Sequence, residues 1–367
     1  MTNMQPDISR QFSNLTTRCV GAVIALALTA FATNANAALR IEVNKGQVRG
    51  IPVAVVPFGV EGTTSIGQDV AAIIEADLTN SGRFDPIPRS DHLSAPSRPE
   101  DIKFKDFRLL KAEAMVVGSV VQTSPGTYAI SYHLYDVFQG AEGQLSGFRY
   151  QDISERSLRR VAHKISDEIY EKLTGVRGAF DTKLAYVARN GPVENRINKL
   201  VVSDYDGDTT NGGTIFETNA LGGILSPAWS PDGQALAYLN GADSNFGWEL
   251  SVHYVYEDRR QVLFESRSAP SAPAWSPDGS MIAFATAADG GNREIFVVNV
   301  ATGARRRLTD NLAIDTQPSW FPDGTRLAFT SNRSGKPQIY EISANGGQAS
   351  RLTFDGKEED RRDHQSG

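Results

Sequence analysis

The chain has 367 residues, a formal net charge of −6 at pH 7, 40% hydrophobic residues and one cysteine. That length accommodates about two domains, and the apolar content gives no case for a disordered chain. The acidic balance argues against nucleic acid as a partner, which would need a basic face; Arg159-Arg160 and Arg305-Arg306-Arg307 are short clusters that read as solvated surface.

Residues 1–37 read as a signal peptide. Arg10 and Arg18 precede an apolar run from Val20 to Phe31, and Ala35-Asn36-Ala37 supplies the small residues of a cleavage site. A run of that length is too short to span a bilayer, so the protein is expected to be periplasmic and not membrane-spanning. Losing Arg10, Arg18 and Asp7 with the leader takes the net charge from −6 to −7, and losing Cys19 leaves no cysteine. The mature chain from Ala38 then holds no disulfide, cysteine-ligated zinc or thiol nucleophile.

Residues 38–178 carry an α/β pattern. Ile51 to Phe58 is a strongly apolar strand, and Ser65 with Gln68 forms a capping box that opens a helix to about Asn80, with Val70, Ile73, Ile74 and Leu78 as its stripe. After a Pro/Ser-rich loop at 86–99, Phe107, Leu109 and Leu110 suggest a short helix. The strand Met115–Gly118 follows, joined to the strand Tyr128–Val137 by a hairpin through Ser124-Pro125-Gly126. Asp152 with Glu155 is expected to open the longest helix. Its stripe of Leu158, Val161, Ile165, Ile169 and Leu173 runs to Gly175, and Ala179-Phe180 pins the linker beyond.

Residues 179–356 are a repeat array. Pro227-Ala228-Trp229-Ser230-Pro231-Asp232-Gly233 recurs as Pro273-Ala274-Trp275-Ser276-Pro277-Asp278-Gly279 and as Pro318-Ser319-Trp320-Phe321-Pro322-Asp323-Gly324, a period of about 45 residues, in the range that signals propellers or other arrays. Ser-Pro-Asp-Gly suits a tight turn. Leu236-Ala237-Tyr238, Ile282-Ala283-Phe284 and Leu327-Ala328-Phe329 then alternate large, small, large, as strands covered on both faces require. Leu184-Ala185-Tyr186-Val187 is a fourth copy without the tryptophan lead. Arg-Leu-Thr closes units at 307–309 and 351–353, so the expectation is about four units of four strands, with the tryptophans as wedges between blades. Residues 357–367 form a polar tail.

Chemical motifs are sparse. There is no nucleophile elbow, Walker loop, Gly-x-Gly-x-x-Gly or His-Glu-x-x-His. His133 and His163 read as structural residues on a strand and a helix. Asp204, Asp206 and Asp208 resemble the start of a calcium loop, but Ile215 stands where its closing glutamate belongs, so a β-turn is the better reading. No catalytic, cofactor-binding or metal-binding residue is assigned, and no cofactor or enzymatic activity is expected.

The leader, the α/β domain, the Leu-Thr-Gly-x-x-Gly-Ala-Phe junction at 173–180, Leu-Ala-Tyr-Val, Ser-Asp-Tyr-Asp-Gly and the serial repeats together resemble the TolB family of the Tol-Pal system, over about Arg40 to Asp355. The resemblance implies a non-enzymatic periplasmic interaction protein. Its propeller would bind the lipoprotein Pal and its mature N-terminus would bind TolA, supporting outer-membrane integrity and constriction at cell division; other outer-membrane lipoproteins are a further partner class. The TolA-binding segment corresponds to Ala38, Leu39, Arg40, Ile41, Glu42, Val43, Asn44 and Lys45. The Pal-facing loops correspond to Ser271, Ala272, Thr316 and Gln317; Ala269 stands where family members can carry a histidine. The repeats are shared with the propellers of prolyl-oligopeptidase-like enzymes, so the alternative is a propeller domain of such an exported peptidase without its catalytic domain. The family propeller has six blades. Gln365 stands where a fifth tryptophan would fall, so the array is expected to be shortened near Gly356, with Tyr186, Phe329 and Ile339 partly uncovered on its outer faces.

Overall fold

The computed structural model describes residues 49–62, 66–192, 195–241, 247–287 and 291–354. The leader, the segment Ala38–Lys45, Ser65 and the polar tail lie outside the described residues. The chain divides after Asp181 into two compact units.

The first unit is a mixed sheet covered on both faces. Its elements in chain order are β1 (Ile51–Val55), β2 (Gly59–Glu61), α1 (Val70–Asn80), β3 (Phe84–Pro86), α2 (Phe104–Leu109), β4 (Ala114–Ser124), β5 (Thr127–Asp136), β6 (Gln144–Ser154) and α3 (Leu158–Thr174). The sheet order is β3-β1-β4-β5-β6, with β2 also on β4; β1 runs parallel to β3 and β4, and β4, β5 and β6 are antiparallel. Because successive strand residues point to opposite faces, Val53, Val55 and Val116 join Val70, Ile74, Leu78 of α1 and Leu158, Ile165, Ile169 of α3 in one core. Ala54, Val56, Met115 and Val117 pack on the other face with Phe107 of α2.

Two helix starts differ from the sequence reading. The α1 helix begins at Val70, where Asp69 Oδ1 accepts the Ala72 N–H at 2.9 Å. A carboxylate directly before the first turn reaches its free N–H groups. The α3 helix begins at Leu158, not at Asp152. Asp152 is instead drawn into β6 at a register shift opposite β5, with φ of 55°, because the ladder continues to the Thr127–Ser154 pair. The helix ends as expected, at Gly175 in the left-handed region (φ 74°), whose N–H donates to the Glu171 carbonyl at 2.8 Å. Phe180 is buried against Tyr170, and its N–H donates to Asp167 Oδ1 at 2.6 Å, which anchors the linker.

The second unit contains four consecutive antiparallel sheets. The first is β7 (Lys183–Asn190), β8 (Ile197–Asp204) and β9 (Gly213–Thr218). The second is β10 (Ile224–Trp229), β11 (Ala235–Gly241), β12 (Trp248–Tyr254) and β13 (Arg259–Ser266). The third is β14 (Ala274–Trp275), β15 (Met281–Thr286), β16 (Glu294–Asn299) and β17 (Arg305–Arg307). The fourth is β18 (Asp315–Trp320), β19 (Arg326–Ser331), β20 (Gln338–Ser343) and β21 (Ser350–Arg351). Among the described residues, then, the first sheet has three strands, not four.

Stacking of these sheets explains the large-small-large strands. Leu236 and Tyr238 face back into the first sheet against Leu200 and Val202, and Leu327 and Phe329 face back into the third against Ala283, Ala285, Ile295 and Val297. The large residues thus cover the preceding sheet. Phe329 is accordingly buried at 1% exposure, contrary to the expectation that it lies on an uncovered face. In the first sheet the same positions are Leu184 and Tyr186, 47% and 41% exposed, and on the opposite face of the fourth sheet Ile339 is 37% exposed.

Each Ser-Pro-Asp-Gly turn is locked by its own side chains. Ser230 Oγ donates to Asp232 Oδ1 at 2.6 Å and accepts the Ala235 N–H at 2.9 Å, and Asp232 Oδ1 accepts the Gln234 N–H. Ser276 and Asp278 repeat this arrangement. Gly233, Gly279 and Gly324 have φ of 67°, 73° and 68°, which a side chain would strain. The serine hydroxyls hold Asp232 and Asp278 below the usual carboxylate range, and the Thr325 N–H does so for Asp323.

Candidate functional site

The loops that enter the first strands of the second and fourth sheets lie at the end of each sheet opposite the Ser-Pro-Asp-Gly turns, and they carry the most exposed large apolar side chains among the described residues of the unit. Leu221 is 94% exposed and Leu312 is 100% exposed. Each precedes its tryptophan, Trp229 or Trp320, by eight residues; the matching residue of the third sheet is Arg267, also exposed. Isolated exposed leucines need no explanation, but two at one repeat position, on the second and fourth sheets with Arg267 at that position on the sheet between, form a patterned surface.

These loops are held from beneath. Buried Glu294, at the start of β16, accepts the Thr309 hydroxyl at 2.5 Å, the Asn311 N–H at 2.8 Å and the Arg307 guanidinium at 3.1 Å. Asp315 has no exposed surface and pairs with Arg333 Nη2 at 2.6 Å, while the Ile314 N–H donates to Asn332 Oδ1 at 2.8 Å. The Leu312 tip is therefore fixed at both stems. Behind Leu221, the Gly241 N–H donates to the Gly223 carbonyl at 2.8 Å, and a Cβ on Gly222 would lie 2.8 Å from Gly241 Cα and 3.1 Å from the Trp248 ring. Only glycine permits that approach.

The sequence-derived loop residues divide into two kinds. Ser271 is buried: its N–H donates to the Ala285 carbonyl at 2.6 Å and its hydroxyl accepts the Ala285 N–H at 2.8 Å, so it is a structural clamp. Thr316 is half-buried. Ala272 and Gln317 are exposed, at the residue before the repeat proline, as is Ser226 in the second sheet. Ser226 and Gln317 have φ of 51° and 53°, at register shifts in the β10–β11 and β18–β19 ladders. Left-handed backbone is costly for such residues, above all before proline, and is the kind of strain that accompanies functional surfaces. Sequence reading missed Leu221, Leu312 and Ser226; the repeat register would have found all three. The segment Ala38–Lys45 lies outside the described residues.

The other residues weighed from sequence have local roles. His163 on α3 is buried with Nδ1 2.8 Å from Asp77 Oδ2 on α1. His133 on β5 lies 3.3 Å from Gln144 Nε2, and burial pushes its pKa down. The Asp204–Asp208 stretch is a turn: the Gly207 N–H donates to the Asp204 carbonyl, while the Asp206 and Asp208 carboxylates accept the N–H groups of Asp208 and Thr210. Among the described residues no helix is long and apolar enough to cross a membrane.

Residues 39–143 match the TolB amino-terminal domain and residues 170–365 match the TolB beta propeller domain. The chain is 41% identical over 209 residues to the Tol-Pal system protein TolB of Marinomonas sp. (strain MWYL1), covering 57% of this chain and 47% of the relative. It is 37% identical over 335 residues to that of Bordetella parapertussis, covering 90% and 72%. The crystal structure of TolB from Acinetobacter baumannii superposes with a TM-score of 0.67 at 32% identity, covering 84% of this chain and 72% of that one. The chain spans about half the length of several of the curated relatives it matches. By both domains and their order, it belongs to the TolB family of the Tol-Pal system.

Proposed function

We propose that the chain is a non-enzymatic periplasmic scaffold that binds Pal through the loop end of its propeller and TolA through Ala38–Lys45, supporting outer-membrane integrity and constriction at division. The observation that carries the docking reading is the pair of displayed leucines, Leu312 on a loop pinned by buried polar groups and Leu221 on a loop backed by the Gly241–Gly223 backbone bond. A rigid loop binds at a lower entropic cost than one that must be ordered on contact. Gln317 lies in β18, the strand that the Leu312 loop enters, and Ala272 precedes β14 of the sheet between, so both extend the surface; Thr316 and Ser271 shape it from within. The displayed groups are apolar side chains, an amide and a guanidinium, which suit recognition by burial and hydrogen bonding. Titrating the purified chain with the soluble domain of Pal, and separately with that of TolA, tests the reading. Pal binding sensitive to Leu312→Asp, and TolA binding lost on deletion of 38–45, are the expected results; binding of neither partner would overturn it.

A further inference from the structure

In the first unit, the sheet face that buries Met115, Val117 and Tyr135 changes character along its strands. Side chains alternate between faces, so Ser119 of β4, Ser131 and His133 of β5 and Arg149 of β6 share that face further along. Register sets three of them in one row, because Ser119 pairs with Ser131 and Ser131 with Arg149. The loop ahead of α2 closes the other side. Gly59 of β2 pairs with Ser119, and a Cβ on it would lie 2.5 Å from Ser97 Cβ, so the loop sits directly on β2. Between loop and sheet is an open cavity of about 290 Å³, lined by these four polar side chains and, from the loop, by Arg98 and Glu100.

The groups that the sheet offers to this cavity are donors. Gln144 Nε2 lies 3.3 Å from His133 Nδ1 and 3.5 Å from the Ser146 carbonyl oxygen, while the Tyr135 hydroxyl donates to Gln144 Oε1, which fixes the amide's orientation. An amide nitrogen only donates, so Nδ1 accepts, and the proton of the neutral imidazole sits on Nε2. Gly147 makes room for this contact: a Cβ there would lie 2.6 Å from Gln144 Nε2 and 3.0 Å from His133 Nδ1. The hydroxyls of Ser119 and Ser131 and the Arg149 guanidinium make no side-chain hydrogen bond or ion pair among the described residues. An imidazole N–H, two hydroxyls and a guanidinium match the acceptor sites of one carboxylate. A solvated face would pair off its charges, and here that has happened only once, between Arg98 and Glu61 at 2.7 Å. Glu100 is left as the loop's uncommitted acid, near enough to pull the His133 pKa upward against the effect of burial.

We propose that this groove binds a free α-amino acid, with its carboxylate on Arg149, the two serine hydroxyls and the His133 Nε2–H, and its ammonium on Glu100. The donors by themselves would accept any small anion. Glu100 selects one that carries a positive group beside its carboxylate. The cavity stands at the small end of ligand sites, which begin at about 300 Å³, a size that suits one amino acid and excludes a large cofactor. Three strands of one sheet carry the carboxylate's partners, so little ordering is needed on binding. The site lies wholly in the first unit and does not depend on the binding of Pal or TolA.

The test uses the full chain carrying 13Cε1-labelled histidine, with the His133 signal assigned by its loss in His133→Gln. L-alanine should move that signal saturably, with half-saturation at about 1 mM, and leave those of His92, His163 and His253 in place. N-acetyl-L-alanine keeps the carboxylate and loses the ammonium, and should bind about tenfold more weakly. L-alanine amide lacks the carboxylate and should not bind. Arg149→Gln should weaken L-alanine about tenfold without moving the melting temperature, because Arg149 is exposed. Glu100→Gln should bring L-alanine and its N-acetyl derivative to similar affinities. A His133 signal unmoved by L-alanine at about 50 mM would overturn the proposal, as would undiminished binding in Arg149→Gln. So would N-acetyl-L-alanine binding the parent as tightly as L-alanine, which would assign the groove to carboxylates at large, a peptide C-terminus among them.

Discussion

Trp275 donates its indole N–H to the carbonyl of Ala228, 47 residues earlier and one sheet back, and Trp320 repeats the contact to Ala274. Trp275 and Trp320 are therefore ties between adjacent sheets as well as wedges. Truncating Trp275 removes both the packing and the bond.

We expect Trp275→Ala to destabilise the second unit by about 3 kcal/mol, the lower end for a buried tryptophan because the ring keeps some exposure. Trp275→Phe should cost about 1 kcal/mol, mostly the hydrogen bond. Calorimetry of the whole chain should show the first unit's transition unmoved in both variants.

Asp315 is the buried strut beneath the Leu312 loop. Asp315→Ala leaves Arg333 facing a dry site and should cost about 3 kcal/mol, as breaking a buried pair does. Replacing both residues with apolar side chains should recover much of that loss in a urea melt, because the unpaired charge is then gone.

The second unit should weaken as pH falls from 7 to 5. His253 on β12 is buried and lies 3.5 Å from the exposed Asp258; burial pushes its pKa below the ordinary value of about 6.5, outweighing the pull of Asp258, while Arg260 pushes the same way as burial. The unfolded chain then binds the proton more readily than the folded one. The stability this residue contributes is complete above about pH 6.5 and is lost as pH falls toward its folded pKa. Urea midpoints against pH should flatten in this window in His253→Gln. A separate loss below about pH 4 should follow protonation of Asp232 and Asp278, whose folded values are depressed.

Repetition made the second unit legible. Proline, aspartate and glycine at a fixed spacing have narrow conformational choices, so the turns locked by Ser230–Asp232 and Ser276–Asp278 follow from residue types alone. The first unit was readable where apolar periodicity was strong, as along α3. It failed at β6, whose residues Gln144–Ser154 are mostly exposed and lack alternation; that strand exists because β5 offers it a ladder, a tertiary cause. The same ladder took Asp152 away from the helix. Which face of Leu327-Ala328-Phe329 is covered could not be read from the triplet, because both neighbours in a stack accept apolar side chains; stacking direction decides it. Of the loop residues named from the sequence, Ala272 and Gln317 are exposed, whereas Ser271 turns inward to clamp Ala285, an orientation set by its bond to β15 and not by its residue type.

The most direct test of the account is a calorimetric titration of the intact chain with the soluble domain of Pal, comparing the parent with Leu312→Asp, Leu221→Asp and the double variant. Both side chains are exposed, so melting temperatures should stay within a degree or two of the parent. The account predicts that each single variant weakens binding about tenfold and that the double variant abolishes it, while TolA binding through Ala38–Lys45 is unchanged. Parent-like Pal affinity in the double variant would contradict the assignment of this face.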